Sequence, residues 1–235
     1  MGKLSELLGV VFPPSCVACA KVLRVHAYFC ADCERELQRT PSIRCARCSE
    51  PGRFDGGECP RCTAWRPSFS VAFAPFAHEG PVARAIHQLK YEDHPELASP
   101  LAALLCAEAR DFLAAAPPTL CAIALHQRRF RDRGYDQAML LAAELARLTG
   151  RTLADEALRR ARETRRQVGL SDDQRERNVA GAFEAHPSCA GQRVLLIDDV
   201  FTTGATARAA ASALLRAGAR EVQVLTLARA NRELG

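Results

Sequence analysis

No apolar run in this chain of 235 residues approaches the roughly 20 residues that a membrane-spanning helix requires, although 48% of its residues are hydrophobic. Membrane insertion is not expected. The stretch SELLGVVFPP near the start ends at Pro13 and Pro14 and lacks the small-residue cleavage pattern of a secretory leader, so it reads as a short packing helix. Two phosphate-binding signatures are missing as well. There is neither a Walker A loop, with its lysine after the second glycine, nor a GxGxxG turn, which disfavours a nucleoside triphosphatase or a dinucleotide enzyme. The formal charge of +5 is too modest to indicate nucleic acid by itself but suits anionic ligands. The length accommodates one sizeable α/β core and a small second unit.

Sulfur is what the chain has in quantity. Of its 11 cysteines, eight fall into four Cys-x-x-Cys pairs near the start, while the remainder reads as an enzyme core. That pattern points to a reducing cytoplasm rather than a disulfide scaffold. Cys16/Cys19 and Cys30/Cys33 stand at the same interval as Cys45/Cys48 and Cys59/Cys62, so the region contains an internal repeat. Each repeat offers the tetrahedral thiolate shell that zinc prefers, and two structural zinc ions are expected. Redox pairs and iron–sulfur ligation fit the surroundings and spacing less well. The spacing leaves open whether each repeat binds its own ion or the pairs cross-brace. Pro51, Gly52, Gly56, Gly57 and Pro60 make the region loop-rich, so metal ligation must provide much of its folding energy. Arg44, Arg47, Arg53, Arg61 and Arg66, with Trp65, are candidates either for nucleic-acid contact or for a solvated surface. The boundary is placed near Pro67, giving units of residues 1–66 and 67–235. Cys106, Cys121 and Cys189 stand alone and read as small hydrophobes.

Beyond Pro67, SVAFAPFAH alternates like a strand or edge hairpin, and Gly80 with Pro81 opens a helix carrying Val82, Ile86 and Leu89 on one face. Lys90 and Tyr91 follow that face. Pro95 to Ala116 reads as a long helix interrupted near Pro100. Leu120 to Leu125 is an aliphatic strand, Gln127 to Tyr135 an arginine-rich loop, and Asp136 to Leu148 a helix with Asp136 as N-cap and Gly150 as its stop. Residues 126–166 hold eleven arginines against six acids, an excess equal to that of the whole chain. Arg128, Arg129, Arg131 and Arg133 lie between a strand end and a helix start, from which guanidinium groups reach a pyrophosphate. A second run, Arg159 to Arg166 before Gln167 and Gly169, suits a mobile flap or an exposed helix. Ser171 with Gln174 fits a capping box, and Ala182 with Phe183 resumes a strand. The alternation implies an open, mainly parallel sheet with helices on both faces.

The richest stretch is Val194 to Thr206, VLLIDDVFTTGAT. Val194 to Ile197 suit a buried parallel strand, expected to end at Asp198 and Asp199. Ligands of open α/β sheets gather at the carboxyl ends of strands, where adjacent carboxylates can accept hydrogen bonds from vicinal hydroxyls such as a ribose diol. Thr202, Thr203, Gly204, Ala205 and Thr206 then turn into an alanine-rich helix from Ala207 to Ala217, whose first N–H groups lack internal partners and suit a phosphate. The competing reading of the acids is a helix N-terminal charge pair or a magnesium site in an unrelated sheet.

This run resembles the phosphoribosyl pyrophosphate (PRPP) signature of type I phosphoribosyltransferases. Four cysteine pairs ahead of it resemble the ComF/GntX family, a double zinc ribbon fused to such a domain. QLKYED at 88–93, RRFRDRGYDQA at 128–138, RRARETRRQVGLS at 159–171 and RERNVAGAF at 175–183 are similar to the family's blocks in the same order, so the resemblance covers nearly the whole chain. It implies association with DNA uptake in natural transformation, or with gluconate-related functions. It also implies PRPP bound with magnesium by Asp198, Asp199, Thr202 to Thr206, Arg128 and Arg133, with the two aspartates as the catalytic pair. Ala124, Leu125 and His126 replace a proline-containing turn of the family and Asp136 replaces a frequent Asn, so a differently shaped pyrophosphate loop is expected. The resemblance implies transfer of phosphoribose to an unknown nitrogen acceptor. The alternative is a non-catalytic PRPP sensor that binds single-stranded DNA beside other DNA-uptake proteins; ribbons serving only as a protein docking surface are a third reading.

Overall fold

The strand–helix alternation is realised in a computed structural model that describes residues 14–23, 27–162 and 172–230. Two short helices, α1 (Ala31–Arg35) and α2 (Pro60–Trp65), begin right after Cys30 and Cys59 and carry Cys33 and Cys62. Then come β1 (Ala72–Phe73), β2 (Phe76–Ala77), α3 (Gly80–Tyr91), α4 (Ala98–Glu108), α5 (Arg110–Ala115) and β3 (Thr119–Ala122). Next are α6 (Gln127–Arg133), α7 (Gln137–Thr149), β4 (Thr152–Leu153), β5 (Leu158–Arg160), α8 (Asp172–Val179) and β6 (Phe183–Ala185). The chain closes with β7 (Arg193–Phe201), α9 (Ala205–Arg216) and β8 (Glu221–Arg229).

The main sheet is parallel throughout, in the order β1-β8-β7-β3-β4, with β2 also pairing β8. β5 and β6 form a separate antiparallel pair. Central strands buried on both faces explain the near-continuous aliphatic runs. Leu195 and Ile197 of β7 join a core with Ile86 of α3, Leu101 of α4 and Leu141 of α7. Val194 and Leu196 join a second core with Ala210 and Leu214 of α9, which also takes in Cys45, Cys48, Cys59 and Cys62. Cys16, Cys30 and Cys33 of the first quartet pack into the other core, while Cys19 is exposed, so each repeat is built onto one face of the sheet.

Four expectations are corrected. β7 does not stop at the acid pair: Val200 and Phe201 continue its pairing with Ala228 and Arg229 of β8, and Phe201 is buried. SVAFAPFAH is not a hairpin, because β1 and β2 both run parallel to β8 and are separated by Ala74 and Pro75. The segment after Pro95 breaks at Ala109 rather than near Pro100, since Pro100 falls in the first turn of α4, where a helix needs no N–H donor. Gln127 to Arg133 is helical, capped by the His126 side chain accepting from Arg128 N and ended by Gly134 at φ 83°. Asp136 and Gly150 delimit α7 as expected, with Gly150 left-handed at φ 67°. The expected N-terminal packing helix, Arg165, Arg166, Gln167 and Gly169 of the flap, and the capping residue Ser171 lie outside the described residues.

Candidate functional site

The acid pair sits within β7, and its two members have different environments. Asp199 is buried at 3% exposure and Asp198 is half-buried. Lys90, in the last turn of α3, places Nζ 2.7 Å from Asp199 Oδ1. Burial works against the Lys90 charge, but Asp199 and Asp198 outweigh it and hold the ammonium above its usual range. Asp198 goes the other way: burial first and the Asp199 charge second push its carboxyl up to about 8, against the opposing pull of Lys90. One oxygen, Asp199 Oδ2, is buried without a hydrogen-bond partner.

Downstream of β7 the chain turns sharply. Gly204 adopts φ 79°, and a Cβ there would come within 2.6 Å of the Phe201 ring, so only glycine fits. Thr202, Gly204 and Thr206 line a cavity of about 1410 Å³ together with Asp198 and Asp199. Thr203 and Ala205 do not line it. Thr203 is buried and its Oγ1 accepts from Ala205 N at 3.3 Å, so these two shape the turn from behind. α9 begins at Ala205, which aims its amino end at the same region.

Arg128 and Arg133 of α6 form a further part of the cavity wall. Arg133 donates to Gln137 and stands 5.2 Å from the Tyr91 ring centre. Asp136 fixes that wall: besides capping α7 through Ala138 and Met139, it accepts from Leu125 N at 2.7 Å. Burial raises its carboxyl above the usual range. Of the second arginine run, Arg160 of β5 lines the cavity, Arg159 pairs with Glu184 of β6, and Arg162 donates to the carbonyls of Asn178 and Ala180.

Sequence reasoning did not assign Lys90, Tyr91, His78, Arg160 or Thr226 to the site, yet all line the cavity. His78 is held below its usual range by burial and then by the Lys90 charge. Lys90 had one local signal. It follows Leu89 and stands four residues after Ile86, both buried, so a charge there needs a partner.

The eight paired cysteines resolve into sequential quartets: Cys16, Cys19, Cys30 and Cys33, then Cys45, Cys48, Cys59 and Cys62, with the sulfurs of each within 4.8 Å of one another. They are not cross-braced. Cys19 and Cys30 sulfurs lie 3.8 Å apart and Cys48 and Cys59 sulfurs 3.7 Å, against an edge of about 3.8 Å for a tetrahedron of zinc–sulfur bonds. The donor set therefore fits two structural zinc ions. The ribbon arginines are mostly engaged: Arg47 pairs with Glu58 at 2.8 Å, Arg44 donates to Pro41 O, and Arg61 Nη1 donates to Thr203 O at 3.0 Å. Cys121 and Cys189 are buried, and burial pushes the Cys121 thiol up to about 12, which fits inert hydrophobes.

Residues 7–63 match the double zinc ribbon domain, and residues 132–235 match the phosphoribosyl transferase domain. The chain is 34% identical over 222 residues to the DNA utilization protein YhgH of Escherichia coli K12, covering 92% of this chain and 97% of that one. The Salmonella typhimurium LT2 protein of the same name is 32% identical over the same shares. Competence protein F of Haemophilus influenzae is 28% identical over 92% of this chain and 96% of its own. Among solved structures, glutamine PRPP amidotransferase from B. subtilis, complexed with ADP and GMP, is similar at a TM-score of 0.41 and 23% identity. That similarity covers 59% of this chain and 30% of the amidotransferase chain. Among the described residues no helix is long and apolar enough to cross a membrane.

Proposed function

The chain belongs to the ComF family of competence and DNA-utilization proteins, and from that membership we propose that it binds magnesium–PRPP at the end of β7 and transfers the phosphoribosyl group to a nitrogen acceptor. The observation that carries the reading is the convergence of Asp198, Asp199, Thr202, Gly204 and Thr206 on one cavity that Arg128 and Arg133 also line. In this reading residues 1–66 form the double zinc ribbon and residues 67–235 the transferase-like domain, a division supported by the end of α2 at Trp65 and by left-handed Arg66 at φ 41°. A reducing cytoplasm suits the thiolates.

Asp198 receives one ribose hydroxyl at the cavity wall, and the second supplies the partner that Asp199 Oδ2 lacks. The amino end of α9, with Thr202 and Thr206, holds the 5′-phosphate. Arg128 and Arg133 take up the charge of the departing pyrophosphate as the C1′–O bond breaks. The positive character left at C1′ is stabilised by the Asp199 carboxylate while the acceptor nitrogen forms the new bond and passes its proton to the departing pyrophosphate. Magnesium bound together with PRPP would supply further neutralisation of the pyrophosphate charge that Arg128 and Arg133 face.

Calorimetric titration with PRPP, with and without magnesium, tests the site. Binding should be abolished in the Asp198→Asn, Asp199→Asn double variant, and pyrophosphate release should depend on one member of a panel of nucleobases, amines and ammonia. A wild-type protein that does not bind PRPP would overturn the reading.

A second reading, a PRPP-responsive protein that contacts single-stranded DNA without turnover, has its own support. Trp65, Arg66, Arg208 and Arg216 line a separate groove of about 590 Å³, and an aromatic ring among arginines suits single strands. This reading requires PRPP to bind without being consumed, and a salt-sensitive DNA affinity that survives the double aspartate substitution.

A further inference from the structure

The second zinc quartet and the phosphate-facing turn are joined by direct contacts on two sides. On one side is α2, a single short helix that carries Arg61, the ligand Cys62 and Trp65. Arg61 Nη1 donates to the Thr203 carbonyl at 3.0 Å, next to Gly204. The same guanidinium lies 4.5 Å from the Trp65 ring centre, and that of Arg208, in the first turns of α9, lies 4.1 Å from it. Arg208 N in turn donates to Gly204 O at 2.8 Å. On the other side, Arg229 of β8 donates to Cys48 O at 2.7 Å and pairs with Glu50, while its guanidinium sits 5.1 Å from the ring centre of Phe201. Phe201 is the ring against which Gly204 packs. The turn is thus held between a zinc-ligand helix and a zinc-ligand loop.

From this arrangement we infer that Arg61 is a positioning residue for the phosphate-binding turn, and that zinc at Cys45, Cys48, Cys59 and Cys62 and PRPP at the turn bind cooperatively. The inference rests on the PRPP reading above. Its physical basis is simple. Cys59 and Cys62 bound to one ion fix the start and middle of α2, and with them the direction from which Arg61 reaches Thr203. A carbonyl held by Arg61 keeps the peptide before Gly204 in one orientation, so the helix amides stay aimed at the cavity. If zinc favours that orientation, linkage requires PRPP to tighten zinc by the same factor. A group that merely stabilised the fold would not produce this selective, reciprocal effect on one of two ions.

The test uses the full-length zinc-loaded protein in equilibrium competition with a zinc-selective chelator, with and without saturating PRPP and magnesium. PRPP should raise the zinc affinity of one quartet by about fivefold or more and leave the other unchanged. Arg61→Ala should weaken PRPP binding in calorimetry by about tenfold at unchanged zinc content and abolish the zinc effect. Arg61→Lys, which keeps a donor for Thr203, should restore part of both. If PRPP binds but neither zinc responds, or Arg61→Ala binds PRPP like the wild type, the coupling is overturned while the PRPP reading stands. If the wild-type protein binds no PRPP, both fall.

Discussion

Lys90 Nζ lies 2.7 Å from Asp199 Oδ1, joining the end of α3 to the second acid of the pair in β7. This contact explains how a strand can carry two adjacent carboxylates into the interior. Lys90 balances the charge of Asp199, and Asp198 is held in its protonated form well beyond the usual carboxylate range.

Removing the ammonium should therefore expose the cost of the arrangement. Lys90→Met leaves Asp199 buried without its cation and should destabilise the protein by about 3 kcal/mol, read from urea denaturation midpoints. Adding Asp199→Asn to Lys90→Met should recover part of that loss. A single variant as stable as the wild type would show that the pair contributes nothing.

The Asp198 shift also predicts a pH dependence with a definite sign. Its carboxyl is pushed up from an ordinary 3.8 to about 8 in the folded protein. Between those values the folded state holds a proton that the unfolded chain has released, so the contribution of this group is complete below about 3.8 and is lost as the pH rises through about 8. Comparing denaturation across this window, Asp198→Asn should flatten the decline. A decline of the same slope in the variant would assign it to other groups.

Gly204→Ala should damage both stability and ligand binding. The left-handed φ of 79° costs a residue with a Cβ about 1–2 kcal/mol, and the new methyl must also displace the Phe201 ring at 2.6 Å. The substitution should lower the thermal midpoint and weaken PRPP binding together. Retention of full affinity would mean that the turn can change shape without consequence.

Zinc removal should be visible in the only tryptophan, Trp65, which belongs to α2 beside the ligand Cys62. Chelation should alter its fluorescence as α2 loses its anchor, and should also lower the stability of the sheet, since Arg229 of β8 bonds to Cys48 O. Cys62→Ser should reproduce both effects. An unchanged fluorescence spectrum after complete zinc removal would contradict the proposed role of the metal.

The parts of this protein that were legible in sequence are those whose chemistry is local. Cys-x-x-Cys pairs, the acid doublet and the Thr-Thr-Gly turn each lie within a few residues, and the aliphatic runs marked β3 and β7. Sequential ligation of the cysteines was not legible, because the interval permits both pairings until the ribbons pack on opposite faces of the sheet. Lys90 was missed as a site residue because its partner comes from a distant strand. α6 was read as a loop on account of its arginines, although His126 before it and Gly134 after it are usable helix boundaries. The continuation of β7 past Ile197 was hidden by the acids, whose cost in the interior is offset only once Lys90 is in place.

The far side of β2 has a consequence for how the two parts of the chain can be separated. Thr40 N donates to Pro75 O and Ala77 N to Gln38 O, both at 2.8 Å, with Arg39 bridging Phe76, while Ala72 N donates to Arg47 O at 2.7 Å. The ribbon residues thus sheathe a sheet margin that would otherwise offer unpaired amides and carbonyls to any passing chain. A fragment starting after the ribbons would carry that margin bare and should self-associate, which makes the cysteine-rich segment an internal guard against aggregation.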